Sequence, residues 1–162
     1  MRKTTEERIR ALVKKHTFPP LEVIIPIIEK AGRGEKELET QFYETALSLM
    51  NGTRKVLGAK GKDMKTLAKL YEVLLAADGT RIEPIELSES KFRFSVTDCP
   101  MLYVKGVSLE VKSRFCDLYC NAATRAMMDV MLDKGRAECS WDKALIKGGS
   151  KCSVLIELVR DR

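Results

Sequence analysis

Apolar residues recur at three- and four-residue spacing through the first half of the chain and again over residues 109–134. Around residues 85–96 and 139–158 the spacing drops to two. The first period is that of helices and the second that of half-buried strands. The longest helical stretch runs from Leu109 to about Lys134, without Gly or Pro, long enough for about seven turns. Val111, Phe115, Leu118, Ala122 and Ala126 form one stripe, and Cys116, Cys120, Ala123, Met127 and Met131 an adjoining one. The apolar arc is wide, which suits a helix covered on more than one side. Ser108 is placed to cap its start, and Gly135 to end it in a left-handed conformation.

Before it, Thr4 or Thr5 can cap a helix to about Lys15. Pro19-Pro20 then breaks the chain, and a second run begins at Leu21 and ends at Gly32. Pro26 inside that run predicts a kink or a short strand. A long helix follows from Glu35 to about Leu57, with Asn51-Gly52 predicting a break. Asp63 caps a fourth helix to Ala77, after a basic loop between Gly58 and Gly61. The period-two stretches predict two hairpins. In the first, a tight turn at Ser88–Lys91 sets Leu87 against Phe92 and Ile85 against Phe94. In the second, a turn at Gly148-Gly149 sets Leu145 against Cys152, Trp141 against Ile156 and Cys139 against Leu158. Lys143 is the one charge on the apolar face so formed, at a place suited to a pocket mouth. Met101 to Val107 is read as a short helix leading to the central one. The fold class is α+β: a helical N-terminal half, then β-β-α-β-β, with an antiparallel sheet of four or five strands packed on the long central helix. One domain is expected over residues 1–162, helical over 1–79 and sheet plus central helix over 80–162. The stripe with Leu118 and Ala122 is expected to face Trp141 and Ile156.

Composition narrows the picture only a little. Of 162 residues, 44% are hydrophobic and 32% charged, ordinary for a globular protein able to bury a core without disulfides. No apolar run approaches the length of a membrane span, and MRKTTEERIR is not followed by the apolar core of a secretory signal. A cytoplasmic location is expected. The net charge of +6, partly from Arg54, Lys55, Lys60, Lys62, Lys65 and Lys69, permits anionic partners. With 6% aromatics and no recognised motif, the balance is against nucleic acid. A solvated basic face accounts for the charge.

The five cysteines, Cys99, Cys116, Cys120, Cys139 and Cys152, are odd in number, and in a reducing compartment they are expected as thiols. The single histidine, His16, limits nucleophilic chemistry. Cys116 and Cys120 are one turn apart and therefore neighbours. Such thiols can bind zinc or do redox chemistry, but free cysteine is also a small core hydrophobe. In the expected register Cys139 lies about 20 Å from Cys152 along the strands, which argues against a four-cysteine zinc site. Cys99 and Cys152 with Cys116 or Cys120 remain open as a smaller group. No cofactor is called for, with zinc left open. Asp117 beside Cys116 is either a general base or the solvated side of the helix. Gly148-Gly149, flanked by Lys147 and Lys151, is either a carboxylate cradle or a plain hairpin turn. A small-molecule site, if present, is expected where the cysteine stripe meets the hairpin ends, at Cys99, Cys116 and Cys152.

Thr97-Asp98-Cys99-Pro100 before a helix bearing Phe115-Cys116-Asp117, then a hairpin with Gly148, Gly149 and Cys152, resembles the L-2-amino-thiazoline-4-carboxylic acid hydrolase family over about residues 80–160. It is also similar to the 4-vinyl reductase domain family, small-molecule-binding α+β domains related in fold to Golgi-trafficking subunits and haem nitric-oxide sensors. The first resemblance implies ring-opening of a cyclic C–N bond in a small heterocycle. Cys116 would then attack or hold a water, Asp117 would move protons, and Lys151 would bind the carboxylate, with Cys99, Gly148, Gly149 and Cys152 completing the substrate site. The second implies a non-enzymatic module that holds a small ligand and signals through a dimer. That family holds zinc with cysteines near its last hairpin. Ala144 stands where its penultimate cysteine would be, which counts against that zinc site here. Convergent polar groups in the pocket favour the enzyme, and a dry apolar cavity favours the sensor.

Overall fold

The structure, a computed structural model, describes residues 4–15, 21–30, 34–133 and 136–159. Four helices come first: α1 (Thr5–Lys15), α2 (Leu21–Glu29), α3 (Glu35–Leu57) and α4 (Met64–Asp78). They are followed by β1 (Arg81–Leu87), β2 (Lys91–Asp98), α5 (Leu109–Met131), β3 (Ala137–Asp142) and β4 (Cys152–Leu158). The four strands make one antiparallel sheet in the order β1-β2-β4-β3. The α+β architecture is thus as expected. His16, Pro19, Pro20, Gly32 and Gly135 lie outside the described residues.

The helix ends follow local chemistry. Thr4 Oγ1 accepts from the Glu7 N–H at 3.2 Å while the Glu7 carboxylate accepts from the Thr4 N–H at 2.7 Å, a reciprocal capping box. Asp63 accepts from the Thr66 N–H at 2.7 Å, and Ser108 from the Val111 N–H at 3.3 Å. Past the end of α5 the left-handed residue is Asp133 (φ 69°), a residue type that tolerates that conformation. Helix α2 runs through Pro26 with no strand. Helix α3 does not break at Asn51-Gly52. A Cβ at Gly52 would stand 3.3 Å from Leu12 Cδ2, so the glycine serves the close approach of α1 rather than a turn. The segment after Cys99 forms only a short 3-10 turn, Pro100–Tyr103.

Both hairpin registers differ from expectation. Leu87 does face Phe92, but Pro84, not Ile85, faces Phe94, because an irregularity between Pro84 and Glu86 takes Ile85 out of the ladder. Proline donates no ladder hydrogen bond, and edge strands such as β1 accommodate it with a bulge. Ile85 is consequently 51% exposed and Leu87 48%. In the second hairpin, Trp141 faces Val154 and Cys139 faces Ile156. A second 3-10 turn, Ala144–Lys147, absorbs the residues that a tight turn would have paired, Leu145 among them. The shift is an even number of residues, so Cys139, Trp141, Val154 and Ile156 keep their common face.

Helix α5 lies between two cores. Its C-terminal half supplies Met127, Met128, Val130 and Met131 to a core shared with the sheet residues Phe92, Phe94, Val96, Val154 and Ile156 and with α4. Val111 and Ala122 instead pack with Ile24 and Ile28 of α2 and Leu38 and Phe42 of α3, and Leu118 is half-buried against that same cluster. The expectation that Leu118 and Ala122 face Trp141 and Ile156 is therefore reversed: α2 and α3 cover that stripe. Tyr71 and Thr124 join α4 to α5 by a buried hydrogen bond, and Tyr43 donates to Asp129 Oδ2 at 2.7 Å between α3 and α5. Among the described residues no helix is long and apolar enough to cross a membrane.

Candidate functional site

Val96 of β2 is paired with Cys152 of β4, so Cys99, just past the end of β2, lies at the same end of the sheet as Cys152. Helix α5 passes over that end with Phe115, Cys116, Tyr119 and Cys120. The sheet core has claimed only the helix's C-terminal half, so the space under its N-terminal half is closed by turns. Met101 and Ile146, one from each 3-10 turn, pack with Cys116. What they leave is a cavity of about 300 Å³, whose walls include Val96, Trp141, Leu145, Leu75 and Val104 besides these residues. That volume is at the lower end for small-ligand pockets.

Four of the five thiols, Cys99, Cys116, Cys120 and Cys152, line it. The five form no disulfide. Cys139 is not among the lining residues; facing Ile156, it stands about 13 Å along the strands from Cys152. Among the described residues, no group of three or more His, Cys, Asp or Glu is arranged to hold a metal ion. This includes the smaller group left open for zinc, Cys99 and Cys152 with Cys116 or Cys120.

The thiols differ electrostatically. Cys116 is 5% exposed. The hydrogen bond from Cys120 holds it below the ordinary thiol value, and the Lys143 ammonium adds to this, against the opposing pull of burial and of Asp117. Cys120, as the donor of that bond and half-buried beside the same sulfur, is pushed well up. Burial raises Cys152, although the backbone N–H groups of Leu145 and Ile146 donate to its sulfur. Burial pushes the Cys139 thiol up to about 12.

Lys143 is the only charged residue among those described that line the cavity. Its side chain is 13% exposed and paired with the Asp117 carboxylate on the next face of α5. Asp117 itself is exposed and does not line the cavity. It orients the lysine from outside rather than meeting a ligand. Gly148, Gly149 and Lys151 are exposed and are not among the wall residues. Gly148 ends the 3-10 turn at φ 88°, a left-handed position suited to glycine. Gly149 donates to the Ala144 carbonyl at 2.8 Å, so close that a Cβ there would stand 2.9 Å from that oxygen. The pair is a turn device. Of the wall residues, the sequence reading left out Trp141 and gave Cys120 only as an alternative to Cys116; the lone charge on an otherwise apolar strand face had placed Lys143 at a pocket mouth.

No family model matches the chain, and no curated protein matches it. Among solved structures, its fold is similar to that of a trafficking protein particle complex subunit 3 from Naegleria fowleri, crystallised covalently bound to palmitic acid. The likeness covers 94% of this chain and 95% of that one, with a TM-score of 0.57 and 13% identity. At that identity the similarity is one of fold.

Proposed function

We propose that this chain is a small-molecule-binding domain whose ligand has an apolar body and one polar or anionic end. The cavity carries the reading: its walls are mostly apolar side chains and thiols, with the hydroxyl-bearing Thr80 and Tyr119 and, among the described residues, Lys143 as the single charge. A dry site of this kind binds by excluding water from the ligand's apolar surface and uses its few polar groups to fix orientation. An anionic end would meet Lys143 in competition with Asp117. The covalently bound palmitic acid of the structural neighbour is a ligand of the same apolar class, which supports the reading without specifying the ligand here. As a sensor it would report occupancy through a second copy of the chain, which sedimentation with and without ligand tests.

Trp141, the sole tryptophan, is in the cavity wall and gives a direct readout. Titration with decanoic acid should change its fluorescence saturably, and Val104→Phe, which takes up cavity space without adding a second indole, should abolish binding while leaving the fold intact. A linear response, or unchanged binding in V104F, sinks the reading. Hydrolysis of a cyclic C–N bond is the second reading, favoured by one observation: Cys116 is held below the ordinary thiol value beside a cation. In that case Lys143 takes the carboxylate-binding role expected of Lys151. Turnover of 2-aminothiazoline-4-carboxylate that disappears in Cys116→Ser is its test.

A further inference from the structure

Cys116 and Cys120 stand one turn apart on α5 and both line the cavity, with Cys120 packed against the cluster that Cys116 forms with Met101 and Ile146. Side chains one helical turn apart hold their Cβ atoms about 5–6 Å apart. A disulfide needs about 3.5–4.5 Å, so direct oxidation of the pair would have to distort α5. A single atom placed between the two sulfurs would not. A bridging atom therefore fits this spacing where a direct bond does not. A bare metal ion would use the sulfurs alone and leave the rest of the cavity unfilled. A bridging atom that carries an organic group would use both features, the thiols and the apolar walls formed by Met101, Trp141 and Ile146.

We propose that Cys116 and Cys120 form a dithiol site for a trivalent organoarsenical, with the arsenic bridging the two sulfurs and its aryl or alkyl group in the apolar cavity. The reaction is a ligand exchange. Two As–O bonds break, two As–S bonds form, and the two thiol protons leave with the oxygens as water; no electrons are transferred and no oxidant is needed. Cys116 reacts first, since it is the sulfur more readily deprotonated beside Lys143. Cys120 then closes the ring. The proposal rests on the cavity accepting an apolar group, as in the function proposed above, and adds to it the ligand's reactive centre.

The probe is phenylarsine oxide added to the full chain, followed by intact mass and thiol titration. The expected result is one phenylarsenic adduct with loss of two titratable thiols, unchanged in Cys139→Ser and lost in both Cys116→Ser and Cys120→Ser. Each serine variant is checked by thermal melting, and saturating decanoic acid should slow the reaction with the wild type. An adduct that consumes one thiol, no adduct, or an adduct that survives in C116S or C120S overturns the proposal. Inorganic arsenite bound as tightly as the phenyl compound overturns the assignment to an organic ligand. Saturable decanoic acid binding without the bridged adduct sinks this inference and leaves the binding reading standing. A bridged adduct without decanoic acid binding does the reverse.

Discussion

At the scale of single residues, the decisive quantity is what each charge or sulfur faces. Asp63 holds its carboxylate below the usual range because the Thr66 N–H donates to it. A depressed carboxylate stabilises the fold above its unfolded pKa and loses that contribution as pH falls through the folded value. Asp63→Ala should therefore cost about 1 kcal/mol at neutral pH, with the difference from wild type vanishing in acid; Asp63→Asn should retain most of the cap. Chemical denaturation at two pH values checks both. Among the thiols, Cys116 should alkylate at lower pH than an ordinary cysteine, and Cys139, pushed up to about 12, should stay inert at pH 8. Lys143→Met removes the cation and should move the Cys116 profile to higher pH, as peptide mapping after timed alkylation would show. A profile that does not move would mean that Cys120 alone sets the shift. The sequence marked Cys116 and the odd placement of Lys143, but not that both would line one cavity. α5 and the segment after β3, far apart in the chain, bring them there.

At the scale of elements, caps and periods were legible and glycines were not. Asn51-Gly52 reads as a helix break and Gly148-Gly149 as a tight turn or ligand cradle. Both readings treat glycine as a matter of backbone freedom, but Gly52 and Gly149 are close approaches to other atoms. They should behave oppositely. At Gly52 the new Cβ meets the end of the half-exposed Leu12 side chain, which can give way, so Gly52→Ala should stabilise by about 0.5 kcal/mol through helix propensity. At Gly149 it meets a backbone carbonyl, which cannot, so Gly149→Ala should destabilise by about 1–3 kcal/mol. Thermal melts of the two variants decide it. The second hairpin shows the same limit. Alternation placed its apolar face correctly, because a shift by two preserves facing, while the partners moved because the intervening residues coil into a 3-10 turn.

At the scale of the molecule, the chain stacks a helical layer on a sheet, with α5 between them. Phe94 is the pivot of the sheet side. Its ring lies 4.8 Å from that of Phe92, 4.9 Å from Tyr71 and 6.4 Å from Trp141, centroid to centroid. Phe94→Ala should cost about 3–5 kcal/mol and shift Trp141 fluorescence. A loss below about 1 kcal/mol would mean that the sheet and α4 are not one cooperative core. The cavity belongs to this scale too. It exists because α5 contributes its C-terminal half to one core and Val111 and Ala122 to another, leaving turns to close the space between.

The sequence by itself determined the main helices and strands, the N-caps at Thr4, Asp63 and Ser108, the α+β class and the inward faces of β2, β3 and β4, because hydrophobic period and capping chemistry act within a few residues. It also put Cys99, Cys116 and Cys152 at one end of the sheet, since strand alternation and helix length constrain where they can fall. Only the tertiary structure decided that α2 and α3, not the sheet, cover Leu118 and Ala122. It likewise decided that Ile85 leaves the ladder and that Lys143 and Cys120 complete the cavity in place of Gly148, Gly149 and Lys151. Each of these depends on which surface covers which, and a helix with a wide apolar arc does not encode the identity of its neighbours.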